Sequence, residues 1–276
     1  MATPLLSAQT CSGKLGPVEI DIWSDRNPTP GPAVIIVHGF KGFKDWGFFP
    51  KIAERLARAG FSVVNLTLSG AGFDRVGEFA YPERFGHNTF SAEIFDLRIV
   101  LDLLDNGKLA IPRPTSVGLL GHSRGGGVAI LFAASHSRIS ALVTWAGIST
   151  TMRWDEATRA RWRQEGSISI INSRTGVATP LYTDILDDLD AHPASLDIAA
   201  AAKRLAIPWL IAHGENDETV PIEEGKRLAD YNTQAAQLWI PQTGHTFGVT
   251  HPWAGPTSAA ARLFDETVAH FSRHLK

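Results

Sequence analysis

Apolar residues along this chain fall into two alternating rhythms. Short runs rich in β-branched and aliphatic side chains, at Ala33–Val37, Phe61–Leu66, Val117–Leu120, Ala141–Trp145, Trp209–Ala212 and Gln237–Ile240, read as strands buried on both faces. Between them lie helix-like stretches over Phe49–Ala59, Ser91–Leu104, the small-residue run Gly126–Ser135, Glu223–Tyr231 and Ala259–Leu275. Val18–Trp23 instead alternates apolar and polar residues and fits an antiparallel edge strand, followed by a Pro/Gly turn over Asn27–Pro32. Strands that alternate with helices build a mostly parallel central sheet with helices on both faces, so the pattern predicts an α/β fold.

The rhythm breaks between Ile148 and Leu205. This stretch is charged, carries Trp154, Trp162 and the acidic run Asp184–Asp190, and shows no clear buried strand. It is expected to be a small lid inserted into a core formed by residues 1–147 and 206–276. Asp184, Asp187, Asp188 and Asp190 read as the wet face of an insertion helix.

Composition narrows the class of partner. A chain of 276 residues suits one large α/β domain, which buries roughly three quarters of its unfolded surface. With 44% hydrophobic residues, 20% charged and a formal net charge of −2, neither disorder nor a polyanion-binding surface is indicated, so nucleic acid is not an expected partner. No apolar run approaches the ~20 residues of a membrane span. A lone Cys11 and a start without a basic segment or a long apolar stretch lead to a cytoplasmic expectation. His270 and His274 have the spacing of a metal pair but no third ligand near them in sequence, and neither a metal nor a cofactor is expected. The oligomeric state is not legible.

The chemistry centres on Gly121-His122-Ser123-Arg124-Gly125, a G-x-S-x-G pentapeptide between a strand-like and a helix-like run. That setting places Ser123 on a sharp strand-to-helix turn, where the backbone is strained and side chains at positions 121 and 125 would collide with their neighbours.

Three further segments accompany it: His38-Gly39-Phe40-Lys41-Gly42 after the first core strand, His213 to Pro221 after a late strand, and Thr243-Gly244-His245 near the end. Together the four resemble the α/β-hydrolase superfamily over nearly the whole chain, with its order of serine, acid, then histidine. The likeness is greatest to small acyl and feruloyl-type esterases and to the catalytic domains of prolyl-oligopeptidase-type peptidases. It implies a nucleophile at Ser123, a general base at His245 and an acid at Asp217, with backbone N–H groups of Phe40 and Arg124 as the oxyanion hole. The superfamily's other acid position reads Ala146-Gly147-Ile148-Ser149 and offers no carboxylate, which leaves Glu215 as the alternative to Asp217. Among ten histidines, His251 is the alternative to His245, while His38, His122 and His213 read as structural.

A serine hydroxyl is a weak nucleophile near neutrality, so the mechanism implied is proton removal by the histidine as attack occurs, with the carboxylate fixing the imidazole tautomer. The expected activity is hydrolysis of small-molecule carboxylic esters through an acyl-enzyme. A thioesterase or small-peptide hydrolase with the same triad is the alternative; a non-catalytic binding module is disfavoured by the intact triad. Trp46 and Phe48 are expected to wall the acyl pocket, and Trp154 and Trp162 to cover the substrate. The insertion's small size argues for short-chain or aromatic acyl groups.

Overall fold

A computed structural model describes residues 5–25, 28–171 and 178–276; part of the turn expected over Asn27–Pro32 lies outside them. The chain opens with strands β1 (Leu5–Ser12), β2 (Pro17–Ser24) and β3 (Ala33–Val37), then α1 (Phe49–Arg58), β4 (Ser62–Thr67), α2 (Pro82–Gly86) and α3 (Phe90–Asp105). Strand β5 (Val117–His122) leads into α4 (Arg124–Ala133) and β6 (Ile139–Trp145). The next stretch holds α5 (Glu156–Glu165), the strands β7 (Ser167–Ile171) and β8 (Ala178–Tyr182), α6 (Asp184–Ala191) and α7 (Ile198–Arg204). It closes with β9 (Trp209–Gly214), α8 (Ile222–Tyr231), β10 (Ala236–Ile240) and α9 (Ser258–His274).

Eight strands form one sheet in the order β1-β2-β4-β3-β5-β6-β9-β10. From β4 to β10 every pairing is parallel, while β2 runs antiparallel to both β4 and β1. Strand β2 is therefore antiparallel as its alternation suggests, but it is not the edge: β1 covers its outer side. The polar-rich Leu5–Ser12 segment hides that strand because its outer side chains face solvent, Leu6 being half exposed.

Side chains alternate across the sheet, and each face has its own core. Ile35 and Val37 of β3 join Leu119 of β5, Leu142 of β6 and helices α3 and α4, whereas Val34, Ile36, Leu120 and Val143 face the side covered by α1 and α9. The pairings β3/β4 and β3/β5 leave β3 in opposite directions. The carboxyl ends of β3 and β5 thus flank the point where strand order reverses, the place where open α/β sheets hold ligands.

The 148–205 stretch does not float above this body. Trp162, Leu186, Leu189 and Ile198 belong to the same core as the sheet, α6 packs against α3, and α7 packs against α4 and α8. Asp188 is turned inward, accepting a hydrogen bond from the Ser91 N–H at 3.0 Å, which corrects its assignment to a solvated face. The wet face falls to Asp187 and Asp190, both ion-paired with Arg163.

Candidate active site

Ser123 stands between β5 and α4 with φ 56° and ψ −122°, a conformation that a non-glycine residue holds only under constraint. The constraints are visible. Its N–H donates to the Trp145 carbonyl at 2.9 Å, and its own carbonyl accepts from Gly126 at 2.9 Å and from Gly127 and Ile148 at 3.3 Å each. A Cβ at Gly121 would strike the Gly125 carbonyl, and one at Gly125 would strike that of His38, so the turn closes only with glycine at both places.

The loop after β3 lies against this turn. A Cβ at Gly39 would come within 2.8 Å of the Ser123 Cβ. His38 locks the loop: its Nδ1 donates to the Gly39 carbonyl at 2.8 Å, and its Nε2 accepts from the Leu68 N–H at 3.0 Å. Both nitrogens are committed in the neutral ring, and burial lowers its pKa to about 4.

Asp217 and His245 meet across 2.8 Å, Oδ2 to Nδ1. The other carboxylate oxygen of Asp217 accepts from the N–H groups of Thr219 and Val220, both at 2.9 Å, and His213 Nε2 stands 3.4 Å from Oδ2. Burial pushes this carboxyl's pKa up, but the hydrogen bonds from His213, His245 and the backbone outweigh it and hold the group well below the usual carboxylate range. Asp217 is therefore an anion whose lone pairs are fixed by protein donors. Glu215, the competing carboxylate, is exposed. His251 accepts a hydrogen bond from the Gly47 N–H at 3.1 Å and stacks near Trp46.

Two histidines brace the pair. His122 Nε2 donates to the His245 carbonyl at 3.0 Å, and burial lowers its pKa to about 3, so the ring is neutral. His213, wholly buried, donates to the Val220 carbonyl at 2.8 Å and thereby closes the loop that carries Asp217. Both read as structural in the sequence, and His213 as a partner of loop backbone, but the partner of His122 is not legible there. His122 lies 123 positions from the carbonyl it pins, a separation no local pattern reports.

Ser123 and His245 line one cavity of about 250 Å³ together with Phe40, Lys41, Trp46, Phe49 and His122. Between these two side chains themselves no hydrogen bond forms. A second cavity of about 220 Å³ opens on the other side of Ser123, lined by Phe40, Phe90, Arg124, Ile148, Trp154, Ile170 and Val220, with Arg153 and Thr219. Trp46 lines the first of these cavities and Trp154 the second. Phe48 and Trp162 line neither. Phe48, wholly buried, packs edge-on against Phe49, His122 and Trp145, while its neighbour Phe49 faces the cavity instead. Trp162 is also wholly buried, its indole N–H donating to the Leu181 carbonyl at 2.8 Å and its ring meeting Trp154 edge-on at 5.0 Å. Among the described residues no cluster of three or more His, Cys, Asp or Glu could hold a metal ion, and no helix is long and apolar enough to cross a membrane.

The family model for the alpha/beta hydrolase fold matches residues 32–166. Sheet order, elbow and family model together give this chain the alpha/beta hydrolase fold. A curated relative, 2,6-dihydropseudooxynicotine hydrolase of Paenarthrobacter nicotinovorans, is 27% identical over 233 residues, 80% of this chain; the chain spans about half (54%) of that protein's length. Among solved structures, a protein from Agrobacterium vitis superposes with a TM-score of 0.71 at 17% identity, covering 97% of this chain and 98% of that one. The Butyrivibrio proteoclasticus protein Est1E bound to ferulic acid gives a TM-score of 0.65 at 19% identity, covering 93% and 95%. At these identities the structural likenesses speak for the fold.

Proposed function

We propose that this hydrolase cleaves carboxylic esters through an acyl-enzyme, with Ser123 as nucleophile, His245 as general base and Asp217 as the acid that orients it. The observation that carries this reading is the joint one: a strained serine and the free edge of a carboxylate-bound imidazole facing one cavity. With Nδ1–H committed to Asp217, the other ring nitrogen is the one available to take the serine proton. Ser123 Oγ bonds to the ester carbon, its proton passes to His245, and the tetrahedral intermediate collapses as His245 protonates the departing alcohol. Water then attacks the acyl-enzyme by the same route, releasing the acid and restoring Ser123.

The oxyanion calls for preorganised donors. The N–H of Arg124 at the start of α4 and that of Phe40 on the Gly39 loop flank Ser123, and loss of one such donor typically costs about 3 kcal/mol of transition-state stabilisation. The 148–205 stretch supplies Ile148, Arg153, Trp154 and Ile170 to the second cavity, which supports a lid that sets substrate choice without contributing to the triad.

Fluorophosphonate labelling followed by peptide mapping tests the nucleophile, and a panel of matched ester, thioester and amide substrates tests the bond. The expected result is a label on Ser123 and highest kcat/KM on the esters. A label elsewhere, or turnover confined to thioesters or amides, overturns the reading.

A further inference from the structure

Proton transfer from Ser123 asks two things of His245: a ring turned the right way, and a ring at the right distance. Asp217 supplies the first, since its Oδ2 holds Nδ1 at 2.8 Å. A single hydrogen bond at one ring atom still lets the imidazole swing about that contact. Ser123 does not supply the second, because no hydrogen bond joins the two side chains. The distance is therefore set by the main chain that carries His245. Its neighbours are anchored, with the Thr243 carbonyl accepting from the Asn216 N–H at 2.9 Å and the Gly244 carbonyl from the Phe247 N–H at 3.0 Å. At residue 245 itself, among the described residues, the main-chain hydrogen bond is the one its carbonyl accepts from His122 Nε2 at 3.0 Å.

His122 is the residue immediately before the nucleophile, so it is joined covalently to Ser123 and by this hydrogen bond to the residue that bears the base. Its ring has little room to turn. Phe48 and Phe49 meet it edge-on, at 5.1 and 6.2 Å between ring centres, and the His245 ring lies 4.7 Å away. On another side, a Cβ at Gly39 would come within 3.4 Å of His122 Nδ1. The wholly buried Phe48 thus packs the ring that holds His245 rather than facing substrate. A carbonyl only accepts, so Nε2 carries the proton, and burial keeps the ring neutral with a pKa of about 3. Neutrality matters here for a second reason. His245 becomes an imidazolium as it takes the serine proton, and a charged ring beside it would oppose that step.

Resting on the ester-hydrolase reading above, we infer that His122 is a positioning residue: its Nε2–H bond to the His245 carbonyl sets the gap between Ser123 Oγ and the proton-accepting nitrogen of His245. It acts through His245 and takes no proton itself. Acylation and deacylation both pass through His245, so loss of this bond slows both steps together and leaves KM in place.

Glutamine and methionine are close in length and volume, and a glutamine amide nitrogen reaches about as far as histidine Nε2, so His122→Gln keeps a donor that His122→Met loses. Both are compared with wild type on p-nitrophenyl acetate, with rates divided by the concentration of sites that fluorophosphonate labels at completion. Misplacing a reacting group by about 1 Å costs on the order of 10²-fold, so His122→Met is expected to lose about 100-fold in kcat with KM within about twofold. Its fluorophosphonate reaction should slow by about the same factor, while His122→Gln keeps kcat within about fivefold. A packing role alone would harm glutamine, the more polar of the two in this aromatic setting, at least as much as methionine. Equal losses in both variants, or a methionine variant within about fivefold of wild type, overturns the inference alone. Absence of both labelling and ester turnover in the wild type overturns the ester-hydrolase reading beneath it. Should His122→Met not fold, nitrogen NMR of the wild-type imidazoles decides: an Nε2–H tautomer of His122 is expected from pH 6 to 8, and an Nδ1–H tautomer removes the bond and with it the positioning role.

Discussion

Each triad candidate owes its position to backbone that has little freedom. Ser123 is held at positive φ by four hydrogen bonds and two obligatory glycines, and Asp217 by two N–H donors of its own loop. Ser123→Ala removes only an oxygen from this frame, so a folded protein with ester hydrolysis reduced about 10⁴- to 10⁶-fold is expected. Near-normal circular dichroism with more than a tenth of wild-type turnover would remove Ser123 from the chemistry. Asp217→Asn is subtler. The amide can keep the Thr219 and Val220 bonds through its oxygen but turns a donor toward His245, favouring the wrong imidazole tautomer. A fall in kcat of about 10⁴ with little change in KM is expected, while Glu215→Gln, out in solvent, stays within about twofold. Steady-state kinetics on both variants checks the ranking, and the reverse order would move the acid role to Glu215.

At the scale of elements, adjacent residues of one type have divided into packing and lining roles. Trp154 and Trp162 touch edge to edge, but Trp162 is the one buried residue of α5 and is tied to Leu181 of β8, whereas Trp154 precedes the helix and faces the second cavity. Trp162→Ala is expected to destabilise by about 3–5 kcal/mol, read as a shift of the urea midpoint, because it empties a large core site and orphans a carbonyl. Trp154→Ala should cost far less stability and instead change the ranking of acetyl, butyryl, octanoyl and cinnamoyl esters. Equal losses on every ester would deny the insertion a selective role. This division also marks what the sequence could and could not convey. Doubly buried strands such as Ala33–Val37 announce themselves as unbroken apolar runs, and the elbow by its glycines. Strand β1, the short α2 and the antiparallel β7/β8 pair carry few buried side chains and leave no such trace, although Ser167–Ile171 does alternate. Which of Phe48 and Phe49 would line the cavity was not legible, since the choice depends on how the chain enters α1 rather than on residue type.

Across the whole molecule, neutral histidines are built into places where protonation would break the fold. His38 needs an unprotonated Nε2 to accept from Leu68. His122 is enclosed by Phe48, Phe49 and His245, and His270 of α9 is buried beside Phe271 and His274. Burial is the leading cause of a lowered pKa in all three, to about 4 for His38, about 3 for His122 and about 4 for His270. In the unfolded chain each returns to about 6.5, so between these values the unfolded state binds the extra protons and stability must fall as pH falls. Each histidine contributes a slope of about 1.4 kcal/mol per pH unit, fully absent above pH ~7 and developed below ~6. Asp217, with its depressed carboxyl, adds loss of the same sign only below pH ~4, once its unfolded-state counterpart protonates. Acid sensitivity is therefore expected to begin near pH 6.5, well above the carboxylate range. Urea unfolding at pH 7.5, 6.5, 5.5 and 5.0 measures it, and in His270→Leu the slope below pH 6 should drop by roughly one third. A stability that stays flat or rises from pH 7 to 5 would show that these rings are not held neutral by the fold.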